Sequence, residues 1–188
     1  MSLSRVNKIS FLISSLLSLL LLGYLFFMNF SPLGKLTIIY NFEKSPFTKG
    51  LWPATRVKEI SCAKNCEQEI TGQPVYLDIL SPQRFESAVC EVNYQGEQPE
   101  NFRLSLRENN KDWGYQTPTP KIISQNDKNA ILQTTFNLSK ANYEQGNLRL
   151  SFSHKKFAEI KSYTLEYIKC DLAKKTPLKT FLKKLWKK

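Results

Sequence analysis

Between residues 75 and 153 the chain alternates apolar and polar positions with a period of two. Val75, Leu77 and Ile79 share one face of an extended segment while Tyr76 and Asp78 take the other. Ala88, Cys90, Val92 and Tyr94 oppose Ser87, Glu91 and Asn93 in the same way. Phe102, Leu104 and Leu106 oppose Arg103, Ser105 and Arg107, and Leu148, Leu150 and Phe152 oppose Arg149, Ser151 and Ser153. Side chains alternate across a strand, so each segment predicts a strand with one buried and one wet face. The β-branched and aromatic run 36–42 predicts another, as do 131–137 and 160–170. Turn formers such as Pro82-Gln83-Arg84, Gln95 to Pro99 and Gln125 to Asn129 lie between them. Roughly eight strands without a long soluble helical pattern predict an all-β fold, an antiparallel β-sandwich of two sheets packed face to face. Residues 43–53, with Ser45, Pro46, Gly50 and Pro53, read as a loop whose Phe47, Leu51 and Trp52 either cover the core or form a contact surface.

The pattern changes at both ends. Ile9 to Phe30 holds no charge over 22 positions, enough helix to cross a hydrocarbon core of about 30 Å. A cleaved signal peptide has a shorter apolar region of about 7 to 15 residues and a small-x-small exit. This run leaves through Met28-Asn29-Phe30-Ser31-Pro32, and so predicts a retained signal-anchor. Arg5 and Lys8 precede it with no acid, which predicts a cytoplasmic amino end and residues 31–188 outside, in a single-pass protein of the cell membrane.

At the other end, Thr176-Pro177 suits the start of a helix. Leu178, Phe181, Leu182, Leu185 and Trp186 then form one apolar stripe, with Lys179, Lys183, Lys184, Lys187 and Lys188 around the rest of the wheel. This predicts a short amphipathic helix suited to anionic lipid headgroups, or to an anionic wall polymer. The alternative is that the stripe packs on the domain or on a partner protein. The resulting plan is a cytoplasmic tail (1–8), an anchor (9–30), a linker (31–35), a β-sandwich ectodomain (36–170) and a basic amphipathic tail (171–188).

Charge does not point to nucleic acid. The chain has 27 basic and 16 acidic residues, but from Lys35 to Cys170 the balance is 18 to 15, and the tail carries much of the excess. Four cysteines in a translocated domain favour two disulfides, Cys62 with Cys66 and Cys90 with Cys170. A zinc site would need tighter spacing and usually histidine, and His154 is the single imidazole. No metal or other cofactor is expected. Phosphate-loop, nucleophile-elbow and zinc-protease motifs are missing from the sequence. Asp78 and Asp112 read as solvated acids and His154 as a turn residue, so the expectation is a non-catalytic protein.

The motifs Gly72-Gln73-Pro74-Val75-Tyr76-Leu77-Asp78-Ile79, Pro82, Arg84-Phe85, Val92-Asn93-Tyr94 and Trp113-Gly114-Tyr115 carry a resemblance. Over residues 72–117 the chain resembles the ectodomains of uncharacterised bacterial single-pass membrane proteins with a jelly-roll, galactose-binding-like sandwich. The resemblance implies a fold and an address but no reaction.

The candidate binding loop runs from Arg107 to Gln116. Trp113 and Tyr115 stand there among Asn109, Asn110 and Asp112, an aromatic pair beside groups that hydrogen-bond hydroxyls. Two roles stay open for the pair: plugging the core, or stacking on a sugar. The function expected is membrane-anchored recognition, of glycans or of a neighbouring cell; the alternative is a structural subunit of an envelope assembly, with envelope proteins as partners. A 178–188 peptide is expected to gain helical circular dichroism on anionic vesicles, and persistent coil would remove the membrane reading of the tail.

Overall fold

The computed structural model describes residues 13–21, 23, 34–43, 45–62, 66–82, 84–109, 114–127 and 129–174. Two compact units are present, one holding residues 1–34 with 176–188 and the other holding 35–175. In the first, residues 13–21 and 23 are helical and exposed. Among the described residues no helix is long and apolar enough to cross a membrane. Much of the anchor expected over 9–30, and the whole of the helix expected over 178–188, lie outside the described residues.

The second unit is a two-layer antiparallel sandwich. The first sheet is built on β13 (Tyr163–Ala173), whose residues 164–173 pair with the full length of β6 (Ser87–Gln95) with a register shift between Leu165 and Tyr167. Its other edge is shared: β1 (Lys35–Tyr40) pairs with residues 168–173 and β4 (Cys66–Ile70) with residues 163–165. β10 (Asn129–Asn137) and β9 (Lys121–Asn126) extend the sheet beyond β6, and β3 (Ser61–Cys62) flanks β4. The second sheet runs β2 (Thr48–Trp52), β5 (Val75–Leu80), β12 (Asn147–His154), β7 (Phe102–Arg107), β8 (Tyr115–Gln116), with β11 (Tyr143–Glu144) also paired to β12.

The period-two pattern decides which residues meet between the layers. Val75, Leu77, Leu104, Leu106, Leu150 and Phe152 from one sheet are buried, as are Cys90, Val92, Tyr94, Leu132, Ile168 and Cys170 from the other. Cys90 faces Cys170 across the ladder and is bonded to it, a buried staple inside one sheet. Closing a loop of that size stabilises the fold by roughly 4 kcal/mol on the chain-entropy account. The second disulfide, Cys62–Cys66, closes the β3–β4 hairpin at the sheet edge.

Several segments differ from the sequence reading. Thr48–Trp52 is a strand and not part of a loop. Cys66–Ile70 and Lys121–Asn126 are strands the pattern did not suggest. All six residues of Lys121–Asn126 are exposed, so no buried face imposes a period on them. His154 is the last residue of β12 and fully buried. Its Nε2–H donates to the Gln98 carbonyl at 2.9 Å and its Nδ1 accepts from the Lys156 amide at 3.2 Å. It is therefore a fully bonded core imidazole, not a solvated turn residue.

Tyr163 shares this end of the core with Tyr94, Phe102, His154 and Phe157. The Tyr94 hydroxyl donates to the Glu97 carbonyl at 2.7 Å, whereas the buried Tyr163 hydroxyl finds no partner among the described residues. Burial pushes both phenols well above the ordinary tyrosine range. An unfolded tyrosine releases its proton near pH 10 while these retain theirs. Their contribution to stability is thus full below about pH 10 and declines above it by about 1.4 kcal/mol per pH unit per tyrosine. Tyr163→Phe is expected to stabilise the fold by about 1 kcal/mol at neutral pH, by removing a buried unpaired hydroxyl. The same substitution is expected to flatten the alkaline loss, both effects being read by denaturant titration from pH 7 to 11.

Candidate functional site

Because the inner face of the second sheet is consumed by the core, its alternate residues form an outward platform. Trp52 reaches that platform through a bulge. Thr48 pairs with Ile79 but Leu51 with Leu77, so β2 takes three steps where β5 takes two. Gly50 sits within the shift at a positive φ of 83°, a conformation for which glycine carries no side-chain penalty. Trp52 then pairs with Tyr76, their ring centroids 4.6 Å apart. Both rings are half-buried.

Arg149 organises the neighbouring row. It faces Asp78 across β5 and β12, and donates from Nε to Oδ1 at 2.8 Å and from Nη2 to Oδ2 at 3.2 Å. Its guanidinium carbon also lies 4.6 Å from the Trp52 ring centroid, a cation–π contact. The Asp78 hydrogen bond raises the pKa of Arg149 further above its already high ordinary value. Arg107 donates from Nη1 to Glu144 Oε2 at 2.6 Å, and the same oxygen lies 4.0 Å from Arg149 Nη1. Glu144 thus stands between two arginines. Asp78 is buried and paired, which corrects its reading as a solvated acid.

Between the aromatic rows the residues are small. Ser151 pairs with Tyr76 on one side and with Ser105 on the other, and the Ser105 hydroxyl donates to Thr117 Oγ1 at 3.0 Å. Tyr115 on β8 pairs with Arg107 and closes the far side of the face. Burial first, and then the nearby Tyr76 hydroxyl, raise the pKa of the Tyr115 phenol. From β2 to β8 the face crosses four strand spacings, about 19 Å. Two cavities open at its border. One of about 90 Å³ is lined by Lys49, Asp78, Arg107, Asn142, Glu144 and Arg149, among others. The other, of about 470 Å³, is lined by Arg84, Phe85, Asn109, Leu138, Asn142 and Tyr143, among others. Among the described residues no group of three His, Cys, Asp or Glu side chains is placed to hold a metal ion.

Of the loop residues singled out from sequence, Tyr115 belongs to this face and Asn109 lines the larger cavity. Asn110, Asp112 and Trp113 lie outside the described residues. The mouth of their loop is closed by the Glu108 amide donating to the Gly114 carbonyl at 2.9 Å. The sequence reading opens the candidate loop at Arg107 and leaves Trp52 as core cover or contact surface, but assigns Tyr76, Glu144 and Arg149 to no site. A tyrosine on the wet side of a strand was a usable signal for Tyr76. For Trp52, Gly50 and Pro53 around it read as a loop and hid the strand that carries it.

No family model matches the chain, and no curated protein matches it. Among solved structures it is similar to the CBM22-1 xylan-binding domain of Xyn10C from Paenibacillus barcinonensis, at 12% identity and a TM-score of 0.48, over 75% of this chain and 95% of that one. It is similar to the CBM22-1-CBM22-2 tandem domain of the same protein at 14% identity and a TM-score of 0.47, over 76% of this chain and 46% of that one. It is also similar to the K1 cleaved adhesin domain of Lys-gingipain from Porphyromonas gingivalis W83, at 15% identity and a TM-score of 0.38, over 73% and 95%. None of these likenesses is strong enough to carry a ligand to this chain.

Removing Arg149 leaves the buried Asp78 carboxylate without its partner. Arg149→Met is expected to cost about 2 kcal/mol of stability, with Asp78→Asn combined with Arg149→Met recovering roughly half of it. Chemical denaturation of the two variants measures the coupling, and strictly additive losses would show that the pair is not one unit.

Proposed function

We propose that the outer face of the second sheet binds carbohydrate, without catalysis. The observation that carries this reading is the Trp52–Tyr76 ring pair, half-exposed and locked beside Arg149 and Asp78. A pyranose has apolar C–H faces and an equatorial rim of hydroxyls. Flat rings accept the first, and arginine, carboxylate and amide groups exchange hydrogen bonds with the second. The platform is built on strands, so the rings are held in place before a ligand arrives and less ordering entropy is lost on binding. Both acids of the site are held by arginines, an arrangement suited to orienting hydroxyls.

The wider setting is also a proposal. We place the sandwich outside the cell membrane on an anchor over 9–30, with the 178–188 tail on anionic lipid headgroups or wall polymer. The uncharged run supports the anchor, as does the exposure of Ile13, Leu16, Leu17, Leu19, Leu20 and Leu21. The two disulfides support an oxidising compartment. The jelly-roll, galactose-binding-like assignment and the roles of Asn110, Asp112 and Trp113 rest on sequence motifs alone.

The test uses full-length protein in a polyoxyethylene detergent, which carries no sugar headgroup, on an array of bacterial, plant and animal glycans. A defined set of glycans is expected to bind, and Trp52→Ala or Tyr76→Ala to weaken binding by at least about tenfold. Signal unchanged by both substitutions would sink the reading. Binding unaffected when Trp113 and Tyr115 are both made alanine would remove that pair alone.

A further inference from the structure

We infer that the site continues past the border of the outer face into a second subsite, whose ring, Tyr143, pairs with the core residue Leu148, so that the ligand is an extended oligosaccharide lying across the end of the sheet and not a single sugar; this rests on the carbohydrate reading above. The two cavities are neighbours, because Asn142 lines both. Arg149 lines the smaller one and also touches the Trp52 ring, so the ring pair and the two cavities are linked through Arg149 and Asn142.

Asn142 is suited to the middle of that path. Its place is held by the main chain, the Asn142 amide donating to the Arg107 carbonyl at 3.0 Å. Its carboxamide makes no hydrogen bond to any described residue, which leaves a donor and an acceptor for a hydroxyl on either side. The larger cavity brings a ring and an arginine of its own. The Tyr143 ring is anchored through its hydroxyl, which accepts from the Phe85 amide at 3.3 Å and donates to the Phe85 carbonyl at 3.4 Å. The Arg84 guanidinium carbon lies 5.6 Å from the Tyr143 ring centroid, as Arg149 lies over Trp52. Asn109 adds an amide to the lining. A ring and an arginine thus occur on either side of Asn142. A site of this extent needs a ligand that stays flat and extended, as β-1,4-linked chains do, and a monosaccharide would fill only one half of it.

The experiment is calorimetry of the full-length protein in polyoxyethylene detergent with β-1,4-linked xylo- and cello-oligosaccharides, as di-, tetra- and hexasaccharides. The hexasaccharide of the series that binds is expected to bind at least about tenfold more tightly than the disaccharide. Asn142→Ala and Arg84→Ala are each expected to weaken hexasaccharide binding by roughly three- to tenfold, one lost hydrogen-bonding group apiece, and Arg84→Ala to leave the disaccharide unchanged. Trp52→Ala is expected to weaken every length. Asn142→Ser, with a hydroxyl in place of the amide, is expected to recover part of the loss, and unfolding temperatures equal to the parent's show that the fold is intact. Hexasaccharide binding unchanged by Asn142→Ala and Arg84→Ala overturns the second subsite while a Trp52 effect keeps the carbohydrate reading alive. No binding in either series overturns the extended β-1,4-linked ligand and leaves the carbohydrate reading to the glycan array, whereas binding with no effect of Trp52→Ala at any length overturns both.

Discussion

The hydrogen-bonded ladder of β13 is the constraint on which the rest of the sandwich depends. This strand gives one edge to β6 over residues 164–173 and divides the other between β1 and β4. It comes last among the described strands, so the first sheet is not complete until the chain has returned to its own beginning. Such pairings join residues far apart in sequence, and their loop-closure entropy is offset only when the ladder and the core form together. The Cys90–Cys170 bond sits within this ladder, where Ile38 and Cys90 flank Cys170 on either side. It therefore restrains β1, β13 and β6 at one level of the core.

The candidate site is a consequence of that ladder at one remove. With the first sheet in place, Val75, Leu77, Leu104, Leu150 and Phe152 have an apolar layer to pack against, and burying each such side chain is worth roughly 1.5–3 kcal/mol. A slip of one residue would exchange that face for its polar opposite, so the register of the second sheet is strongly held. The same register turns Tyr76, Asp78, Arg149, Ser151, Ser105 and Arg107 outward. Core packing thus orients a platform whose residues contribute little to the core. The Gly50 bulge is the local exception that carries Trp52 onto it.

How far the structure could be read from sequence follows from how much of each element is buried on one side. β5, β6, β7 and β12 have one face in the core and one in water, and their alternation revealed both their type and their inward residues. β9 has no buried residue and β2 is short and bulged, so neither left a period to detect. The cysteine pairings were legible because few partners were on offer. The true environments of Asp78 and His154 were not, since each depends on a group distant in sequence: Arg149 in one case, and the Gln98 carbonyl in the other. Tyr115 and Asn109 were singled out in the sequence as parts of one loop, whereas the fold puts Tyr115 beside Arg107 and Asn109 in the lining of the larger cavity.

The sequence by itself determined the strand pattern, the two-sheet class, the buried face of each amphipathic strand and the cysteine pairs, because those follow from local periodicity and from a short inventory of thiols. Only the tertiary structure decided which wet faces lie side by side. The contacts of Trp52 with Tyr76, of Arg149 with Asp78, and of Asn142 with two cavities join segments that are separated along the chain or are set by a single bulge. Periodicity tells a residue which way to face; only strand order and register tell it what it will find there.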